Sequence, residues 1–306
     1  MKKILVITGA TGKKSGGHFT KNIGVNINTV EKLFPDGIRA IVRKTSDTRI
    51  LEQCIPHIEK FHGDLTDKEL LKKAFNNADT VIHIAGIHWS QEVVEAAAFC
   101  NVRRLILVHT TGIYSKYKEA GEEYRQIDKF VYSICNKNNI VLTILRPTMI
   151  YGNVHDQNVV VFIRMVDRLP FMPVVDGAKY ELQPVHYKDL GDAYFQVLLN
   201  EKATANRDFI LSGGKPVLLR DMFIEIGKNL GKKVRFVSFP FGIAYAGAWL
   251  VYLLTLSKKD LREKVQRLCE PRVYSHMEAS DAFGYNPRDF ETGIIDEVKE
   301  YIKNRG

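Results

Sequence analysis

Short apolar runs punctuate the first half of the chain: Ile4-Leu5-Val6-Ile7, Ile38-Arg39-Ala40-Ile41-Val42, Thr80-Val81-Ile82-His83-Ile84, Leu105-Ile106-Leu107-Val108 and Ile140-Val141-Leu142-Thr143-Ile144-Leu145. They are near-continuous and β-branched rather than alternating, the pattern of strands covered on both faces. Between them lie longer stretches with helical spacing, such as Thr66 to Asn76, where Leu70, Leu71 and Phe75 share a face, and Ser90 to Cys100. Strand then helix, repeated, predicts an α/β fold: a Rossmann-like doubly wound parallel sheet. After Gly152 the rhythm changes to longer helices and irregular segments. This predicts a first domain over 1–155 and a smaller C-terminal α/β substrate lobe over 156–306, whose segments can interleave with the first.

Composition narrows the class. The 306 residues are 45% hydrophobic and 26% charged, which excludes disordered, collagen-like and disulfide-scaffold chains. Cys54, Cys100, Cys135 and Cys269 form no C-x-x-C pair, so neither a zinc ribbon nor a redox motif is indicated, and a reducing, cytoplasmic setting is expected. Met1-Lys2-Lys3 is followed by only four apolar residues before Thr8-Gly9, which reads as a buried strand rather than a signal peptide. The 44 basic against 35 acidic side chains leave a charge of +9 that needs a location. No nucleic-acid motif accompanies it, so the surplus points to phosphate-bearing small molecules, with an anionic membrane surface as the lesser alternative.

Directly after the first strand, Thr8-Gly9-Ala10-Thr11-Gly12 supplies two glycines of a dinucleotide-binding turn. Glycine suits a place where the backbone turns tightly and its N–H groups approach a pyrophosphate. The third glycine is missing from its usual place, where Ser15 stands before Gly16 and Gly17. Gly24 precedes Arg43 by nineteen residues, the usual distance from that glycine to the end of the second strand. This predicts a basic insertion over Lys13–Lys21, either a flap over phosphate or a plain surface loop. The expected turn contacts are Gly9, Thr11, Gly12, Lys13, Ile23 and Gly24. At the end of the second strand Arg43-Lys44 replaces the acidic residue that would accept from a ribose diol. A cationic fork there suits a 2′-phosphate, so NADP is expected, with NAD as the alternative.

Further along stand Gly63-Asp64-Leu65-Thr66-Asp67, Val81-Ile82-His83-Ile84-Ala85-Gly86, Val108-His109-Thr110-Thr111-Gly112-Ile113-Tyr114, Leu145-Arg146-Pro147-Thr148-Met149-Ile150-Tyr151-Gly152, Gln183-Pro184-Val185-His186 and Phe283-Gly284-Tyr285-Asn286-Pro287. With these in order, the chain resembles the extended and atypical short-chain dehydrogenase/reductases, the NAD(P)-dependent epimerase/dehydratase family. The resemblance implies that Asp64 and Leu65 meet the adenine, that Ala85 and Gly86 line the cofactor, and that Pro147 sits beside the nicotinamide. It also implies an oxidoreductase-type enzyme acting on a hydroxyl or carbonyl, such as that of a nucleotide sugar, working as a monomer or homodimer. Family members use a Ser or Thr, a Tyr, and a Lys four residues after the Tyr. Thr110 and Tyr124 match the first two.

Here the chain departs from the pattern. Asp128 stands four residues after Tyr124, and Lys129 comes one place late, rotated by about 100° on a helix. An anion there would raise the tyrosine pKa. This keeps open a second class, a non-catalytic NADP-binding redox sensor or assembly factor. His83, His109 and His186 lie on separate strands or loops without ligand spacing, so they read as structural and no metal site is expected. Asp189 reads as a helix N-cap. The uncharged stretch from Phe236 to Ser257, followed by Lys258-Lys259, reads as a core or cleft helix, with membrane-surface contact and a membrane span as alternatives.

Overall fold

The computed structural model describes residues 2–117, 119–255 and 260–305. Its first half runs β1 (Leu5–Thr8), α1 (Ser15–Val25), α2 (Ile27–Leu33), β2 (Ile38–Val42), α3 (Arg49–Cys54), β3 (Glu59–His62), α4 (Lys68–Phe75), β4 (Thr80–His83), α5 (Ser90–Phe99), β5 (Arg104–Val108), α6 (Gly121–Lys137) and β6 (Val141–Pro147). The second half continues with β7 (Ile150–Tyr151), α7 (Val159–Arg168), β8 (Met172–Val175), β9 (Glu181–Leu182), β10 (Val185–His186), α8 (Tyr187–Leu199), α9 (Glu201–Thr204) and β11 (Arg207–Leu211). It ends with β12 (Val217–Leu218), α10 (Leu219–Asn229), β13 (Phe236–Phe239), α11 (Phe241–Leu254), α12 (Arg262–Leu268), α13 (Met277–Phe283) and α14 (Phe290–Arg305).

Seven strands form one parallel sheet in the order β11-β6-β5-β4-β1-β2-β3. The order reverses between β1 and β4, and the carboxyl ends of such a pair open the crevice in which doubly wound sheets take ligands. The apolar runs build this sheet because both faces are covered. Leu5 and Ile7 enter one core together with Phe19, Ile82 and Phe209, while Ile4 and Val6 enter the other with Phe75, Val93 and Val131. The period of two within β1 divides its side chains between the two layers.

The second lobe has its own core, in which Ile163, Met172, Phe223, Ile294 and Val298 meet. Small two-stranded pairs, β10-β7, β12-β9 and β13-β8, frame it. Later segments return to the first layer. α8 lies along α1 so closely that a Cβ on Gly191 would stand 2.8 Å from His18. β11 extends the large sheet beside β6, and Phe283 packs edge-on against Phe209. Arg104, fully buried, fixes α8 by donating to the carbonyls of Val197 and Leu198 and to Thr204 Oγ1.

Two expectations are corrected here. His186, not Asp189, caps α8: its ring Nδ1 accepts from Lys188 N at 3.2 Å, and Asp189 sits inside the first turn accepting from Arg288. The uncharged stretch is not a core helix, since Ala248 alone is buried in α11. Among the described residues no helix is long and apolar enough to cross a membrane. The end of that stretch, with Lys258 and Lys259, lies outside the described residues.

Candidate functional site

The glycine turn needs no insertion. α1 begins at Ser15, so most of the predicted loop over Lys13–Lys21 is helical. The reason is steric. A Cβ on Gly16 would stand 2.1 Å from the carbonyl oxygen of Gly9, and one on Gly17 2.6 Å from that of Gly12. Gly16 thus performs the close packing of the third glycine, one residue later than usual. Gly9 has φ 82° and would carry its Cβ 2.8 Å from Ala85 N, so only glycine lets β1 approach the end of β4 here. Gly12 N donates to Gly9 O at 3.1 Å and closes the turn.

Ile23 and Gly24 do not reach this turn. Ile23 is fully buried in the core, and Gly24 lets α1 meet α3, its Cβ position lying 2.8 Å from that of Cys54. Their suggestive spacing to Arg43 arises because α1 is continued by α2 across a break at Asn26. Thr11 is half-buried and Lys13 exposed at the mouth. Lys13 O accepts from Asn153 Nδ2 at 2.9 Å, tying the turn to the second lobe.

Around the crevice the remaining predicted residues fall on one rim. Arg43 and Lys44 are exposed just past β2, and among the described residues neither forms an ion pair. Arg49, by contrast, is taken by Asp47 at 2.6 Å, and this hydrogen bond holds the Asp47 carboxyl down at about 2, with the charge of Lys13 adding to the effect. The exposed Asp64 accepts from Thr66 N and Oγ1 at 3.0 Å; these bonds, with the charge of Arg43, lower its pKa. Leu65 is half-buried beside it.

Ala85 is exposed, and Gly86, φ 112°, has open space where a Cβ would stand. His83 fixes that conformation. Its Nε2 donates to Gly86 O at 2.8 Å, so its Nδ1 must accept from Thr8 Oγ1 at 2.6 Å. Burial lowers its pKa to about 4 and keeps it neutral. Pro147 is buried at the end of β6, its carbonyl accepting from Thr111 Oγ1 at 3.2 Å. The tight glycine turn, the open position at Gly86 and the cations Arg43 and Lys44, unpaired among the described residues, fit a phosphate-bearing dinucleotide.

The catalytic candidates are arranged differently from the pattern the sequence resembles. Thr110 Oγ1 accepts from Gly112 N at 3.0 Å and retains its hydroxyl hydrogen for another acceptor. Tyr124 is buried on α6, its ring edge-on to His88 at 5.4 Å. Burial, then the charge of Glu123, raises its pKa. Tyr114 and Tyr117 are exposed. Lys129 is exposed too.

Asp128 is engaged elsewhere. His109 Nδ1 donates to its Oδ1 at 2.7 Å, and Arg146 Nη2 stands 2.8 Å from its Oδ2. Arg146 also pairs with Asp208 at 2.6 Å, Tyr132 donates to Asp208, and Ser90 Oγ lies 3.0 Å from His109 Nε2. Burial opposes ionisation of Asp128, yet the hydrogen bond from His109 and the charge of Arg146 hold its carboxyl below the usual value. A carboxylate that the sequence reading missed is Glu270, which accepts from Ser115 Oγ at 2.6 Å and Lys116 N at 2.7 Å and so ties the segment after β5 to the second lobe. A signal existed for Arg146, since a charge inside the apolar run of β6 requires a buried partner.

Residues 26–167 match a family model described as NAD(P)H-binding. The whole fold also recurs in solved structures. dTDP-glucose 4,6-dehydratase from Streptomyces venezuelae, solved with NAD and TYD bound, aligns over 99% of this chain and 98% of its own, with a TM-score of 0.72 and 18% identity. The chain has the fold of the extended short-chain dehydrogenase/reductases. UDP-glucuronic acid 4-epimerase from Bacillus cereus in complex with NAD shares this fold, with a TM-score of 0.72 and 14% identity over 99% of this chain and 100% of that one. UDP-glucose 4-epimerase from Thermotoga maritima, solved with UDP-glucose, gives 0.70 and 15% over 99% and 100%. No curated protein matches the chain by sequence. The chain thus combines a match to an NAD(P)H-binding family model with a short-chain dehydrogenase/reductase fold.

Among the described residues no group of three or more His, Cys, Asp or Glu is placed to hold a metal ion. His83 and His109 are bonded at both ring nitrogens, and His186 caps α8.

Proposed function

We propose that the protein binds NADP(H) and reduces a carbonyl group of a small, phosphate-bearing substrate, of which a nucleotide sugar is the leading candidate. The observation that carries this reading is the state of Tyr124. Its neighbour Asp128 is committed to His109 and Arg146, Lys129 is exposed on α6, and burial raises the phenol pKa. A tyrosine that keeps its proton at neutral pH is a general acid rather than a base, which suits reduction. When bound, NADPH supplies the hydride. Gly9, Gly12 and the start of α1 would hold its pyrophosphate, and Arg43 with Lys44 its 2′-phosphate. Gly86 and Pro147 would border the nicotinamide, and Asp64 and Leu65 the adenine. Thr110 would donate its hydroxyl to the substrate oxygen, and Tyr124 would deliver the proton to that oxygen.

A second reading is favoured by Asp128, an anion four residues after Tyr124: a non-catalytic NADP-binding redox sensor or assembly factor. One set of measurements separates them. Calorimetric titration with NADPH and NADH should show preference for NADPH, reduced about tenfold or more in Arg43→Ala, the value of a charge-assisted hydrogen bond. NADPH oxidation against carbonyl compounds, including oxidised nucleotide sugars, should be lost in Tyr124→Phe with binding intact. Binding without Tyr124-dependent turnover selects the sensor reading, and failure to bind either nucleotide overturns both.

A further inference from the structure

We infer that α11 docks the protein on an anionic lipid bilayer, lying in the plane of the headgroups. The helix, Phe-Gly-Ile-Ala-Tyr-Ala-Gly-Ala-Trp-Leu-Val-Tyr-Leu-Leu, holds no charged or amide side chain. At 100° per residue, Ile243, Trp249, Leu250, Leu253 and Leu254 fall on one side of it, and all are exposed, Ile243 by 63% and Leu254 by 75%. The opposite side, through Ala248, faces protein, and the guanidinium of the neighbouring Arg262 lies 4.2 Å from the Tyr252 ring centroid. A surface-lying helix ordinarily needs a polar face toward water; here the body of the protein occupies that side. Exposed Val237 and Phe239 on β13 and Phe171 beside β8 extend the apolar surface.

Fourteen residues rise only about 21 Å, short of a bilayer's hydrocarbon core of roughly 30 Å, so the helix lies in the interface rather than crossing it. Trp249 presents an indole to that layer, where such rings concentrate.

Charge selects the occupant. From Ile226 to Lys259 the chain contains no Asp or Glu. Lys233 and Arg235 lead into β13, the Arg220 guanidinium stands 4.8 Å from the Phe236 ring centroid, and Lys179 follows β8; none of the four has an ion-pair partner among the described residues. A second copy of the chain meeting this face would bring these cations together, whereas acidic headgroups would neutralise them, each cation near the surface being worth about 1 kcal/mol.

The test is sedimentation of the full-length protein with vesicles, one set of phosphatidylcholine alone and one of equal parts phosphatidylcholine and phosphatidylglycerol. In a Trp89→Phe background Trp249 is the sole tryptophan. The mixed vesicles should pellet the protein and shift Trp249 emission to the blue, with release by high salt. Leu250→Glu combined with Leu254→Glu should weaken binding about tenfold or more without lowering the melting temperature, since both side chains are exposed. Protein left in the supernatant of the mixed vesicles overturns the inference. So does a concentration-dependent dimer that the double variant splits in the absence of vesicle binding.

Discussion

Asp128 and His109 form a buried pair, with 2.7 Å between carboxylate and imidazole, although one stands on α6 and the other just after β5. The carboxylate four residues after Tyr124 is thus part of a polar network reaching through Arg146 to Asp208 and Tyr132. Asp128→Ala would leave Arg146 with Asp208 alone, and breaking a buried ion pair from one side costs roughly 3–5 kcal/mol. Asp128→Lys, the change that restores the family pattern, should be at least as damaging, because it sets an ammonium against Arg146. Urea unfolding midpoints check both. A stable, more active Asp128→Lys protein would contradict the network's structural role.

Stability should fall on acidification below neutrality. Burial lowers the pKa of His83 to about 4 and that of His186 to about 3. The unfolded chain, with ordinary values near 6.5, binds protons over that range while the folded chain does not. The loss therefore begins as pH drops below about 6.5 and grows by roughly 1.4 kcal/mol per pH unit for each group until its folded pKa is reached. Asp128 adds a loss of the same sign lower down, as pH falls through its lowered folded value. Denaturant titrations at pH 7 and pH 5 should show the decline, and His83→Gln should make it shallower.

Two glycines separate the nucleotide turn from helix packing. Gly16→Ala forces a methyl against Gly9 O and should reduce both stability and nicotinamide-nucleotide affinity. Gly24→Ala forces one against Cys54, on the far part of α1, and should reduce stability only, by about 1–3 kcal/mol as overpacking does. Melting curves with nucleotide titrations check the split. Equal loss of affinity in both variants would return Gly24 to the turn.

Arg104→Ala removes the donors to Val197 O, Leu198 O and Thr204 Oγ1. Buried groups left unpaired cost about 1–3 kcal/mol each, so a strongly lowered melting temperature is expected. Amide exchange should quicken at the end of α8 before it does in β4 or β5.

What was legible in the sequence was what a single element decides by itself. The five apolar runs became strands because a strand covered on both faces must be apolar throughout. The half-exposed edge strand β3, Glu-Lys-Phe-His, carries no such mark, and β11, on the opposite edge, is mixed as well. The glycine turn was misplaced because Ser15-Gly16-Gly17 resembles a loop by composition, whereas the close approach of Gly9 O that demands glycine exists only in three dimensions. The departure at Asp128 was visible, but its partners His109 and Arg146 lie on other strands' ends. For α11, hydrophobicity stated that water should be avoided and left open what covers the helix.

β11 has one more consequence, for the order of events during synthesis. Residues 207–211 pair with β6, completing a sheet begun at Leu5. Until Leu211 has left the ribosome, the nascent chain holds β6 as an open parallel edge and α1 without its neighbour α8. A fragment ending at residue 155 keeps that edge permanently, and an unprotected strand edge invites pairing with other chains. Expressed alone, residues 1–155 should aggregate, while a fragment extended through residue 211 should remain better dispersed in light scattering.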